Sequence, residues 1–107
     1  MNQDLLHEIV ATYQKHAWVL RRVLLIPEED KALTDRSALA DAAVQTSSIN
    51  AVWFSRPSHD QREAWELRLV SEAPYALFET FESDESEEQR EEVRQEMEAR
   101  MREYASR

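Results

Sequence analysis

The chain contains no cysteine, no glycine, only three prolines and no long apolar run. Without cysteine there is no disulfide framework, no thiolate zinc site and no cysteine nucleophile. Average usage would give about seven glycines per hundred residues. Their absence removes the P-loop, the GxGxxG dinucleotide turn and the GxSxG nucleophile elbow. It also disfavours the tight two-residue hairpin turns whose central residues sit at positive φ. The best apolar runs, residues 17–20 and 23–26, are split by Arg21 and Arg22. Both fall far short of the ~20 residues that a membrane-spanning helix needs. The opening Met1-Asn2-Gln3-Asp4-Leu5-Leu6 has neither the basic start nor the apolar stretch of a signal peptide, so the expected location is the cytoplasm.

What is present is acidic. The 107 residues carry 22 acids against 13 bases, a formal net charge of −9. A free-standing nucleic-acid binder of the usual basic type is not expected on that balance. Residues 1–56 are almost neutral, with seven acids and six bases, whereas residues 57–107 hold fifteen acids and seven bases. Most of the excess lies in residues 79–98, where ten acids face only Arg90 and Arg94. Length fits one α+β domain over residues 1–107, and 42% apolar residues suffice for a core.

Periodicity predicts the elements. Leu5, Leu6, Ile9, Val10 and Tyr13 line one face of a helix over residues 3–16, capped by Asn2 or Asp4. Residues 17–26, rich in aromatic and β-branched side chains and closed by Pro27, read as a strand. Trp18, Leu20, Arg22, Leu24 and Ile26 would share one face, with Val19, Arg21, Val23 and Leu25 on the other. The competing reading runs the first helix on to Ile26, since Pro27 ends either element. Pro27 with Glu28, Glu29 and Asp30 suits a single helical turn. Ala38, Leu39, Ala42 and Ala43 predict a further helix over residues 36–46, capped by Asp35. From Ile49 the period changes to two. Residues 51–56, 62–70 and 75–81 read as strands joined by polar turns, with Trp65, Leu67 and Leu69 facing one way and Arg62, Glu66 and Arg68 the other.

The last helix spans residues 84–104. Asp84 with Glu87, or Ser86 with Gln89, can form its capping box. The expected architecture is an antiparallel three- to four-stranded sheet, its last three strands a meander, packed against N-terminal and C-terminal helices.

Two surfaces stand out as candidate sites. The first is the acidic helix with its narrow apolar stripe, from which Glu85, Glu88, Glu92, Met97, Met101 and Tyr104 are the candidate partner-binding residues. The plainer reading is a solvated helix start, and a stripe that packs on the chain's own sheet. Glu87, Glu88, Glu91 and Glu92 have no calcium-loop geometry, and no metal or cofactor is expected. The second is a pocket between sheet and helices formed by Arg21, Arg22, Trp53 and Trp65. A buried arginine there needs an acidic partner or an anionic ligand, and Glu79, Glu66 and Asp41 are the candidate partners within the chain. His59 and Asp60, near Ser55 and Ser58, have the residue types of a hydrolytic triad, but turn chemistry explains them without catalysis.

Two functions follow as expectations. One is a non-enzymatic protein-interaction module that uses the acidic C-terminal helix or a sheet edge, with a basic protein or a second copy of the chain as partner. The alternative is a binder of small anionic ligands, or an enzyme, with a pocket between sheet and helices. Neither nucleic acid nor membrane is an expected partner.

Overall fold

The computed structural model of the chain describes residues 1–39 and 41–107. In order they form α1 (Gln3–Lys15), β1 (Val19–Leu25), α2 (Pro27–Ala32), a 3-10 turn (Ser37–Leu39), β2 (Ala43–Thr46) and β3 (Ala51–Pro57). A second 3-10 turn (His59–Gln61) leads to β4 (Glu63–Leu69), β5 (Ala76–Phe81) and α3 (Glu87–Ala105). The class is α+β. The sheet is larger than expected and mixed: five strands in the order β2-β1-β3-β4-β5, with β2 parallel to β1 and the other pairs antiparallel. The meander expected of the last three strands is β3-β4-β5.

The helix expected over residues 36–46 is replaced by the turn at Ser37–Leu39 and by β2; Ala40, within that span, lies outside the described residues. The apolar spacing that suggested a helix is only partly used, since Leu39 is buried and Ala42 packs beside it. All four residues of β2 are exposed, so no alternation marks them as a strand. They extend because their backbone pairs with Arg22–Leu25 of β1. Parallel pairing needs a long crossover, and the segment holding α2 supplies it. Leu33 and Leu39 from this crossover are buried on the same side of the sheet as α1.

Asn2, not Asp4, caps α1: its side chain accepts from the N–H groups of Asp4 and Leu5. The helix ends before β1 rather than running into it. At its C-terminus the N–H of Trp18 reaches the Tyr13 carbonyl and that of Ala17 the Gln14 carbonyl, with Ala17 at φ 68°. This is a Schellman closure, whose left-handed position is usually glycine. The accompanying apolar contact is between Tyr13 and Trp18, whose rings meet edge to face at 6.0 Å. Lacking glycine, the chain also places Asp60 and Gln61 at positive φ in the β3–β4 turn.

β1 departs from simple alternation. The register with β3 shifts between Leu20 and Arg22, a bulge at Arg21. Leu20, Val23 and Leu25 therefore join the α1 side, whereas Arg21 bonds Ser55 and Arg22 bonds Glu91 of α3. The expected faces, with Leu20 and Arg22 together, are corrected by this one extra residue. On one side of the sheet α1 buries Leu6, Ile9 and Val10 against Val23, Leu25, Val52 and Phe54. On the other, Met97 and Met101 of α3 pack on Leu24, Trp53, Trp65, Leu67 and Phe81.

Replacing Ala17 by glycine should raise stability by about 0.5–1 kcal/mol. It relieves a left-handed cost of roughly 1–2 kcal/mol and gives back part of that in unfolded-chain entropy. A higher urea midpoint with unchanged slope is the expected result, and a lower midpoint would exclude the closure described.

Candidate functional site

α3 starts at the capping box expected of Ser86 and Gln89: Ser86 Oγ accepts from the Gln89 N–H at 3.1 Å, and Gln89 Oε1 from the Ser86 N–H at 2.9 Å. Of the apolar stripe, Met97 and Met101 are buried against the sheet, Val93 is half-buried, and Tyr104 stacks on Tyr75 at 3.5 Å. The surface that could have paired with the same helix of a second copy is thus covered by the chain itself. Steps of three and four residues along the same face bring in two charged side chains, Arg94 and Glu98, both buried.

Arg94 is 1% exposed and its guanidinium lies 4.0 Å from the Trp65 ring centroid and 5.4 Å from that of Phe81. Its Nη1 donates to Glu87 at 2.6 Å and Glu91 at 2.9 Å. Arg22 donates through both terminal nitrogens to the same Glu91, at 2.7 and 3.2 Å, and its guanidinium lies 5.9 Å from the Trp65 ring centroid. Trp65 therefore has cations from two elements near its ring, bridged by one carboxylate. Trp53, fully buried, donates its indole N–H to Glu98 at 2.8 Å. Arg90 adds a third guanidinium, 5.6 Å from the Phe81 ring and 3.4 Å from Glu63. Among the described residues, two buried side-chain nitrogens lack a partner, Nε of Arg90 and Nε of Arg94. Both belong to guanidiniums seated beside aromatic rings, whose π-faces supply attraction where no oxygen does.

The electrostatics match this geometry. The Arg22 hydrogen bonds hold the Glu91 carboxyl down at about 2, against an ordinary 4.5, with burial opposing and Gln95 and Arg94 assisting. The Arg94 hydrogen bond also lowers Glu87, although that side chain is 74% exposed. Burial opposes the Arg94 charge, and its bonds to Glu87 and Glu91 outweigh burial, so the guanidinium is more basic than usual. On the α1 side, burial and the bond to Glu66 raise the Tyr13 hydroxyl above its ordinary range.

Arg22, Trp53 and Trp65 come to one side of the sheet, as the pocket expectation requires, but α3 covers them and both indoles are buried. The partner of Arg22 is Glu91, not Glu79, Glu66 or Asp41. Arg21 is exposed and donates to Ser55 Oγ at 2.7 Å. Arg94 and Glu98 escaped the sequence reading. The signal was available, because Arg94 precedes Met97 by three residues and Met101 by seven. Charge alone removed it from the apolar stripe.

The acids of α3 divide into two sets. Glu87, Glu91 and Glu98 serve Arg94, Arg22 and Trp53, and Glu98 also lies 3.9 Å from Arg102. Glu88, Glu92 and Glu96 are exposed and meet no cation among the described residues. Glu85 is half-buried and accepts from the Glu82 N–H at 2.7 Å, closing the turn before the helix. Among the described residues no three His, Asp or Glu side chains are grouped to hold a metal ion, and no helix is long and apolar enough to cross a membrane. Comparison with protein-family models, with curated proteins and with solved structures finds no match to the chain.

Because Glu91 is held below its unfolded value, its contribution to stability is full above about pH 4.5 and is lost as pH falls towards about 2. Glu91→Gln should therefore lower the urea midpoint at neutral pH and flatten its decline over that acid window. A variant whose acid limb is as steep as that of the parent would show that Glu91 does not couple α3 to the sheet.

Proposed function

We propose that the chain is a non-enzymatic interaction module that docks a basic protein partner on the outward acids of α3. The observation that carries this reading is the row Glu88, Glu92 and Glu96. These carboxylates recur every fourth residue, are exposed, and border a shallow cleft of about 750 Å3 with Glu87, Glu91 and Gln95. Like charges four residues apart destabilise a helix by about 0.2–0.5 kcal/mol per pair. Glu88 is helped by the helix N-terminus, but the row forms no ion pair among the described residues, and a partner presenting Lys or Arg at matching spacing would remove the repulsion. Such a surface speeds encounter and loses strength as salt screens it.

Met97 and Met101 are buried and so contribute support rather than contact; the contact set is Glu88 and Glu92, extended by Glu96. The cytoplasm is the location that goes with this reading. The alternative of an anion held at Arg22 beside Trp53 and Trp65 draws no support from the contacts, since the Arg22 fork is already on Glu91.

Charge reversal at Glu92 separates function from stability. Glu92→Lys removes two repulsions and adds two favourable pairs, so stability should rise by about 1–2 kcal/mol while partner capture falls. Affinity capture at low and high salt, with the parent chain and with E88K/E92K/E96K, is the direct test. Basic proteins retained by the parent at low salt, released at high salt and absent from the variant are expected. Identical capture by both chains would overturn the proposal.

A further inference from the structure

The opposite side of the sheet carries a feature that the acidic helix does not explain. A cleft of about 480 Å3 opens beside the end of β3, lined by Arg56, Ser58, His59, Ala64, Ala17 and the ring of Phe78. Its size falls within the range of small-molecule sites. Phe78 is 58% exposed, the most exposed of the large apolar side chains, and it meets Trp18 edge to face at 6.5 Å. Arg56 is half-buried and held in place from two sides. Its guanidinium stacks 4.3 Å from the Trp18 ring centroid, and its Nη1 donates to the His16 carbonyl at 2.8 Å. Its remaining donors have no partner among the described residues, and it forms no ion pair there, in a chain where acids outnumber bases 22 to 13.

Nearby acids are engaged elsewhere. Glu66, opposite Phe78 on β4, accepts from the Tyr13 hydroxyl and does not line the cleft. Asp60, which follows His59, points its carboxylate to Arg62 at 3.3 Å. The cleft thus combines a preset guanidinium, an imidazole, a hydroxyl and an open aromatic face. The C-terminal closure of α1 at Ala17 and the β3–β4 turn at His59–Gln61 bound it on either flank.

We propose that this cleft binds a small planar aromatic anion, its ring against Phe78 and its carboxylate or phosphate between Arg56, His59 and Ser58. Aromatic rings pair by offset stacking or edge to face, and a fixed guanidinium is the preferred receptor for a planar or tetrahedral oxyanion.

The three indole N–H groups make a built-in reporter. Those of Trp53 and Trp65 donate to Glu98 and Glu63, and both rings belong to the α3 side, whereas Trp18 lies beside the cleft. The full chain is titrated with benzoate, adenosine monophosphate, inorganic phosphate, and the neutral analogues benzamide and adenosine, each followed by two-dimensional 1H–15N NMR. A saturable shift of the Trp18 indole with an aromatic anion, and at least tenfold weaker binding of the matching neutral analogue, are expected. Benzoate against adenosine monophosphate distinguishes carboxylate from phosphate, and saturation by phosphate alone would overturn the aromatic requirement.

Arg56→Gln should weaken binding tenfold or more, and Phe78→Ser, at an exposed ring, about threefold or more with the fold intact. Unchanged affinity in a folded Arg56→Gln or in Phe78→Ser, or equal binding of neutral and anionic probes, would overturn the proposal. E88K/E92K/E96K should bind the probe as the parent does, so this cleft and the acidic row fail or stand separately.

Discussion

A helix as acidic as α3 has little to press onto a sheet: its apolar stripe is one residue wide and its polar face is mostly carboxylate. What seats it is the Arg94 guanidinium, buried at 4.0 Å from the Trp65 ring and joined through Glu91 to Arg22 of β1. Moving a cation out of water is costly unless its charge and donors are met. Here the rings of Trp65 and Phe81 and two carboxylates meet most of that demand. Desolvated cation–π contacts are worth about 2 kcal/mol or more, which adds a directional contact to the roughly 3–6 kcal/mol supplied by burying Met97 and Met101. The same seam orders the acids of the helix. Those turned inward become counter-charges, and those left over form an exposed row.

That division gives the molecule two dissimilar sides. Around the start of α3, Arg22, Arg90 and Arg94 are paired within the chain and unpaired carboxylates face solvent. Around the end of α1, a cation is left free and an aromatic ring is open. Such a separation is not visible in the net charge of −9, which averages over both. It arises because Arg22 and Arg94 are satisfied within the chain while Arg56 is braced by a carbonyl and an indole, neither of which neutralises it.

Much of this was legible from residue order alone, and the reasons differ by element. α1 follows from a strong period that burial enforces, the meander β3-β4-β5 from short apolar runs set off by polar turns, and α3 from its charge order and the Ser86–Gln89 box more than from its narrow stripe. β2 was not legible, because a fully exposed strand has no buried face to imprint a period of two; only its pairing with β1 makes it one. The bulge at Arg21 has the same character. Its extra residue is fixed by the register with β3, so alternation counted along β1 assigns Leu20 and Arg22 to the wrong company. Trp53, Trp65 and Arg22 share the α3 side of the sheet, and the Arg94 guanidinium fills the space above Trp65. A buried arginine on a helix looks like surface until the aromatic ring beneath it is known.

Native-state hydrogen exchange tests the central role of Arg94 most directly. If the Arg94–Trp65 stack seats α3, the amides of Met97, Glu98 and Met101 exchange only by global unfolding in the parent chain. In Arg94→Ala they should then exchange through a lower-energy opening, while those of Val52, Trp53 and Phe54 in β3 keep their protection relative to global stability. Amides of α3 that exchange far faster than those of β3 in the parent, or that stay tied to global unfolding in Arg94→Ala, would contradict the account.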